Sequence, residues 1–416
     1  MRILVLQESD WIERGPHQSH HLFERMVQRG HEVRVLDFEI GWREDTSRSI
    51  IAPRKVITPP PKVIEGSGIT VVRPAVVRLP TVEYVSSIVT HRLEIRKQIQ
   101  EFRPDVIVGF GLLNAFIGIR VARRTNIPFI YYLIDELHRL VPQRAFRGLA
   151  RAIEGSNVRR ASLVLSINQA LRNYTVAMGA PPDKAKVLPA GVDLERYPPD
   201  ADGSEVRKRH GLQDGDLVLF FMGWVYSFSG LREVAESIAA GDGHEERAKL
   251  LLVGKGDSWD EVARLTKELG AEDRIKMVGF RPYAEMPSYL SAADLCLLPA
   301  FKTETMQNIV PIKMYEYLAA GKPVIATRLP GLLREFGEGH GVVYVEGPTE
   351  VVAKALELAR QGNLHRIGQQ GRAFVAGNDW SSITDKFESI LTDVVGRRGP
   401  PPKGQSPPPS LRRDSL

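Results

Sequence analysis

Apolar side chains recur along this chain in two alternating rhythms. Short β-rich runs, Ile3 to Leu6, Glu32 to Leu36, Ile69 to Arg73, Val106 to Gly109, Pro128 to Leu133, Leu163 to Ile167 and Lys186 to Leu188, predict strands. Between them, apolar positions fall at helical spacing near Gln18 to Arg29, Tyr84 to Gln100, Asn114 to Arg123 and Asn168 to Met178. Strand and helix in repetition predict a parallel sheet with crossover helices, so residues 1–193 read as one doubly wound α/β domain. The proline-rich stretch Pro53 to Pro61 reads as a long loop within it.

From Asp193 to Asp216 the rhythm stops and proline, glycine and charge take over, so residues 194–216 read as an interdomain linker. A second series of strand runs follows: Leu217 to Met222, Leu250 to Val253, Ile275 to Val278, Leu295 to Leu298, Val324 to Ala326 and Val342 to Val345. Residues 217–377 therefore predict a second Rossmann-like sheet. Trp380, Ile383, Phe387, Ile390, Leu391 and Val394 then mark an amphipathic helix over residues 378–396. Residues 397–416, with the cluster Pro407 to Pro409, lack the apolar content of a core and are expected to be disordered.

Composition narrows the class without choosing a function. The chain has 416 residues, 43% hydrophobic and 25% charged, which suits two ordinary domains. No stretch approaches the roughly 20 apolar residues that span a bilayer, and Ile3 to Leu6 is too short for a signal-peptide core, so a cytoplasmic protein is expected. The single cysteine, Cys296, excludes a disulfide framework and a cysteine metal site. A net charge of +6 suits anionic partners such as nucleotide or lipid phosphates.

Open parallel sheets bind ligands beyond the carboxyl ends of their strands. After the first strand, Gly15, Pro16, His17, Gln18 and Ser19 lead into a helix whose free N–H groups suit an anion or a polar sugar; a plain turn is the alternative. The segment NIVPIKMYEYLAAGKPVIAT, residues 308–327, is richer. Pro311 suits a helix start, Gly321 a helix stop, and Lys313 and Glu316 share one helix face. A carboxylate there accepts bonds from vicinal ribose hydroxyls and an ammonium favours pyrophosphate. An ordinary surface ion pair between the two is the alternative.

The order of motifs resembles the retaining glycosyltransferases of the GT-B family. The motifs are MRILVL, RGHEVRVL, RPDVIVGFG at 103–111, LPAGVDLERY at 188–197, FMGWVYSFSG at 221–230, LLVGKGD at 251–257, VGFRPYAEMPSYLSAADLCLLP at 278–299 and YEYLAAGKPVIAT at 315–327. The resemblance implies a nucleotide-sugar substrate with no further cofactor, and a last helix that crosses back to the first domain. It implies that Glu316 holds the donor ribose, that Phe280 and Arg281 lie against the nucleobase, and that Gly223, Gly254, Ile309 and Val310 line the donor site. It also implies retention of anomeric configuration, without a clearly placed protein nucleophile.

The chain departs from the family pattern at three places. Asn308 stands where many members carry a sugar-binding glutamate, and Trp224 and Ser229 stand where a phosphate-gripping arginine and lysine are common. Lys313, Arg232 or Lys302 are the candidates to replace that pair. In the absence of an Asp-x-Asp site, helix dipole, backbone N–H groups and basic side chains are expected to stabilise the departing diphosphate without a metal.

On the acceptor side, Asp135 and His138 follow a strand end and suit the orientation of sugar hydroxyls, a helix cap being the plainer role for Asp135. Residues 139–160 carry six arginines with Phe146, Leu149 and Ile153 interleaved. They suit peripheral contact with an anionic membrane or a lipid-phosphate acceptor, or simply a solvated helix face. The reading is thus a hexose-type transfer to a glycan or lipid-linked acceptor, with no nucleic acid. Two rivals remain, a nucleotide-sugar epimerase of similar fold and a non-catalytic partner subunit. A dehydrogenase is disfavoured because neither half opens with G-x-G-x-x-G.

Overall fold

In the computed structural model the described residues are 1–13, 16–38, 50–79, 82–141, 143–241, 247–304 and 306–397. The first half contains strands β1 (Arg2–Leu6), β2 (Glu32–Leu36), β3 (Ile51–Ala52), β4 (Lys55–Ile57), β5 (Thr70–Arg73), β6 (Val76–Val77), β7 (Val106–Gly109), β8 (Phe129–Leu133), β9 (Leu163–Ser166) and β10 (Ala185–Val187). Its helices are α1 (Gln18–Gln28), α2 (Val82–Glu101), α3 (Leu113–Arg124), α4 (Arg147–Arg160) and α5 (Gln169–Ala177). The main sheet runs β10-β9-β8-β7-β1-β2-β5-β4, parallel except for the edge strand β4. Its central strands β1, β7, β8 and β9 are near-continuous apolar runs because helices cover both faces.

After α6 (Ser204–Arg209), the second half alternates strictly. Its elements are β11 (Leu217–Trp224), α7 (Leu231–Ala240), β12 (Ala248–Lys255), α8 (Trp259–Glu268), β13 (Ile275–Gly279), α9 (Met286–Ala292), β14 (Leu295–Leu298), α10 (Ile312–Ala319), β15 (Val324–Thr327), α11 (Pro330–Phe336), β16 (Val342–Val345), α12 (Val351–Arg360) and α13 (Leu364–Val375). The sheet order is β13-β12-β11-β14-β15-β16, wholly parallel. Strand order turns back between β1 and β7 in one sheet and between β11 and β14 in the other. Those two reversals are where ligands enter doubly wound folds.

The last helix, α14 (Trp380–Gly396), returns to the first half and packs on α1. The Trp380 ring stacks on His21 with centroids 4.4 Å apart, and Arg29 reaches Asp385 at 2.7 Å and Glu388 at 2.8 Å. Gly191 permits this contact, since a Cβ there would sit 2.5 Å from the Trp380 ring. Cys296 lies wholly buried in β14.

One sequence expectation needs correction, and one segment holds a helix the pattern did not show. The stretch Pro53 to Pro61 is not all loop, because Lys55–Ile57 pairs antiparallel with β5; a three-residue edge strand beside prolines leaves too short a pattern to detect. Residues 194–216 contain α6, whose Arg207 donates to the Ala292 carbonyl at 3.0 Å and pairs with Asp294 at 2.8 Å. Only Val206 of that helix is buried, so it shows no apolar stripe. Gly15 and the tail from residue 398 lie outside the described residues.

Candidate functional site

Beside the reversal point of the second sheet, the paired strands β11 and β12 carry Gly223 and Gly254 one residue before their ends. Both have positive φ, and a Cβ on Gly254 would lie 1.9 Å from the Gly223 carbonyl oxygen. Only glycine allows the two strand ends to close up this tightly. Lys313, on the first turn of α10, reaches under Gly223: its Nζ would stand 2.8 Å from a Cβ there and lies 4.1 Å from the Phe221 ring centroid. Burial pulls the Lys313 ammonium down to about 8, partly opposed by the charge of Glu316. Lys313 and Glu316 form no ion pair among the described residues, so the surface-pair alternative does not hold.

Glu316 is 7% exposed. Its Oε1 accepts from the Tyr283 hydroxyl at 2.7 Å and the Tyr197 hydroxyl at 3.0 Å. Burial raises its pKa above the usual carboxylate range, against the lowering effect of those two hydrogen bonds. The expected open, ribose-facing carboxylate is therefore half occupied by phenols, and Oε2 is the oxygen that carries no hydrogen bond among the described residues. Arg196 lies over the Tyr283 ring at 4.7 Å, which ties the chain before α6 to this corner.

An aromatic edge lies alongside. Phe280 is 65% exposed, and Lys255 stands 5.7 Å from its ring and 5.5 Å from that of Trp224. Trp224, which replaces the expected arginine, donates to Asp257 at 3.2 Å. Arg281 is turned onto the Tyr289 hydroxyl at 3.3 Å and the Phe280 carbonyl at 3.0 Å. Arg232 is held by Glu236 at 3.1 Å and Glu261 at 2.9 Å, and Lys302 by Glu346. Both are exposed cations with carboxylate partners, whereas Lys313 and Lys255 form no ion pair among the described residues.

Across the gap, the loop after β8 presents Asp135, Glu136 and Arg139. Together with Leu140, Leu171, Glu304, Asn308 and Ile309 they line a cleft between the halves. Asp135 makes no hydrogen bond among the described residues, and burial, reinforced by the charge of Glu136, raises its pKa. The cap role for Asp135 is not adopted, since the turn that follows is not capped by a side chain. Asn308 joins the halves: its Nδ2 donates to Glu136 at 3.0 Å, and its Oδ1 accepts from Arg334 at 2.5 Å. Ile309 lines the same cleft, while Val310 packs against the core.

His138 is a step further back. Its Nδ1 lies 2.7 Å from the fully buried Glu154, which also accepts from Tyr174 at 2.9 Å. That contact fixes the ring and leaves Nε2 without a partner among the described residues. Gln18 is wholly buried, donating to the Tyr132 hydroxyl at 2.7 Å and the Pro189 carbonyl at 3.1 Å. These two bonds hold its side chain within the fold at the start of α1. His17 precedes α1, and its backbone N–H donates to His20 at 3.1 Å. Among the described residues no group of three His, Cys, Asp or Glu is placed to hold a metal ion.

The residues that sequence reasoning left without roles are Tyr197, Tyr283, Glu136 and Lys255. Tyr197 and Tyr283 lie within quoted motifs, but their convergence on Glu316 spans separations of 119 and 33 positions.

The chain was compared with known proteins. A profile described as Glycosyl transferase 4-like domain matches residues 15–191, and one described as Glycosyl transferases group 1 matches residues 202–374. D-inositol 3-phosphate glycosyltransferase 1 of Catenulispora acidiphila is 26% identical over 327 residues, 71% of this chain and 74% of the relative. N-acetyl-alpha-D-glucosaminyl L-malate synthase of Bacillus anthracis is 26% identical over 242 residues, 57% of this chain and 61% of that protein. Among solved structures, HepE of Anabaena in complex with UDP superposes with a TM-score of 0.71 at 18% identity, covering 94% of this chain and 100% of that one. Sucrose-phosphate synthase of Thermosynechococcus elongatus gives 0.72 at 17% identity, covering 95% and 99%. These likenesses establish the two-domain fold that the sequence pattern predicts.

Proposed function

Because the chain belongs to the group 1 glycosyl transferases and is a glycosyltransferase, we propose that it moves a hexose-type sugar from a nucleotide-sugar donor, with retention and without a metal ion, to a glycan or lipid-linked acceptor. The observation that carries the reading is a buried ammonium at the strand ends of one half and an unpaired carboxylate after a strand end of the other. On the second half, Lys313 and the glycine-lined strand ends offer a positive, close-fitting seat for a diphosphate. On the first half, Asp135 is an unpaired carboxylate beside Glu136 and Asn308.

Glycosyl transfer demands this polarity. The bond between the anomeric carbon and the diphosphate oxygen breaks, negative charge grows on the diphosphate, and positive charge grows on the sugar ring. A buried ammonium and oriented N–H groups stabilise the first, and a carboxylate across the gap stabilises the second. The exposed Phe280 with Lys255 provides a face for the base. Neighbours of the same fold were solved with UDP and UDP-glucose, which makes uridine donors the first to test. The inositol-phosphate relatives make a phosphorylated polyol a reasonable first acceptor.

The test is NMR of the chain with a panel of nucleotide-sugars, with and without chelator. Slow release of free sugar in its original anomeric form, unchanged by chelator, is the expected result. Conversion of the donor to its epimer without acceptor would establish the isomerase instead. No thermal shift with any nucleotide would point to a non-catalytic subunit.

A further inference from the structure

Helix α3 packs on β1, β7 and β8 and touches α2 on one side and α4 on the other, so the three helices cover one face of the first sheet. The outer surface of this layer sets exposed apolar side chains among cations. Toward the C-terminal ends stand exposed cations: Arg96 and Lys97 on α2, Arg123 and Arg124 on α3, Arg159 and Arg160 on α4. Among the described side chains of these helices, the one exposed carboxylate is Glu101, 3.9 Å from Lys97. Arg92 on α2, Arg151 on α4 and Arg144 just before it are exposed cations as well. Among these cations Val89 is 56% and Leu93 59% exposed midway along α2, and Phe146 is 56% and Leu149 62% exposed where α4 begins.

Helices that follow parallel strands start at the carboxyl edge of the sheet, so Phe146 and Leu149 at the start of α4 lie toward the same rim as the cleft. Leu140, 49% exposed on the turn before α4, itself lines that cleft beside Arg139. Cations at helix C-termini complement the helix dipole, but that role needs none of the bare apolar side chains set among the cations. Isolated exposed apolar residues are ordinary, whereas apolar groups bordered by cations form an interfacial surface. Among the described residues no helix is long and apolar enough to cross a membrane, so contact would be lateral.

We propose that the α2–α3–α4 face docks on an anionic bilayer, with Phe146, Leu149, Val89 and Leu93 entering the boundary between headgroups and acyl chains and the arginines holding lipid phosphates. The docking needs no activity; its corollary, that the acceptor is lipid-borne and meets the cleft at the membrane, rests on the transferase reading. Sequence pattern pointed only to residues 139–160; the contribution of α2 and α3 comes from the structure.

The experiment is cosedimentation of the full chain with vesicles of phosphatidylcholine alone or of equal parts phosphatidylcholine and phosphatidylglycerol. Donor hydrolysis is followed in parallel. Binding is expected to the anionic vesicles and to fall with added salt. The pair Phe146→Ser and Leu149→Ser is expected to weaken partitioning roughly tenfold with little change in salt dependence. The pair Arg123→Ala and Arg124→Ala is expected to weaken it about tenfold or more and to flatten the salt dependence. Both pairs keep donor hydrolysis. Equal partitioning to both vesicle types, or insensitivity to both pairs, overturns the proposal. So does polyuridylate binding that the arginine pair abolishes and the apolar pair leaves intact, since that marks a nucleic-acid face. Vesicle binding without donor hydrolysis would leave the docking standing and remove the transferase reading; hydrolysis without vesicle binding does the reverse.

Discussion

The carboxyl edges of the two sheets are built alike and equipped differently. In the second sheet, strand ends beside the reversal carry glycines with Lys313 beneath. In the first, the loop after β8, one strand beyond the reversal, carries the unpaired Asp135 and a Glu136 that pairs with Arg139 at 2.7 Å. Backbone fold determines where a cleft opens. The few side chains at the strand ends determine which part of a polar, anionic substrate each wall receives. Lys313, whose ammonium burial pulls down to about 8, is the cation we propose in place of the usual arginine and lysine.

The strongest way to break the comparison is on the acidic wall. Asp135→Asn is expected to lower kcat by about 10²- to 10⁴-fold with donor KM little changed, if the carboxylate acts on the reacting sugar; an unchanged kcat measured in a transfer assay would remove it from the site. On the basic wall, Lys313→Ala is expected to cost about 10²- to 10³-fold in kcat/KM, read from the same kinetics. Phe280→Ala is expected to weaken nucleotide binding by roughly fivefold or more, as measured by titration calorimetry, with no change in the anomeric outcome. Asn308→Ala should have the smallest effect on affinity. It removes one neutral bridge between the halves, and small-angle scattering is expected to report a more open mean separation.

A pH profile sharpens the same contrast. Burial lowers Lys313 to about 8, so its ammonium is present below that pH and lost above it. Donor affinity in the free enzyme is expected to fall as pH rises through about 8, and Lys313→Ala to abolish that limb. The stability sign runs the other way: above about 8 the unfolded chain keeps a proton that the folded one has shed. This group therefore adds stability as pH rises toward its unfolded value.

Most of the fold is legible in the sequence because strands such as Val106–Gly109, Phe129–Leu133 and Leu295–Leu298 are apolar runs bounded by turn residues. Periodicity reports burial, and these strands are buried. The helix α6 and the edge strand β4 escape because they bury almost nothing. Of the candidate site, the glycines and Lys313 are readable as local pattern. The clamp of Tyr197 and Tyr283 on Glu316, the loss of Arg232 to two neighbouring carboxylates and the burial of Gln18 are not. Each depends on a partner brought near by tertiary packing, and neither spacing nor composition encodes that partner.

The returning helix has a consequence for how the protein is made. A ribosome that has synthesised residues 1–193 has produced every strand of the first sheet, yet Trp380, which lies against His21 and Gly191, is still nearly two hundred codons away. Until then α1 keeps an unsealed seam, and the first half waits for the second before it is finished. Birth order and structural completion therefore run in opposite directions, and Trp380→Ala, at about 3–5 kcal/mol, is expected to weaken the earliest-made part of the chain from its latest.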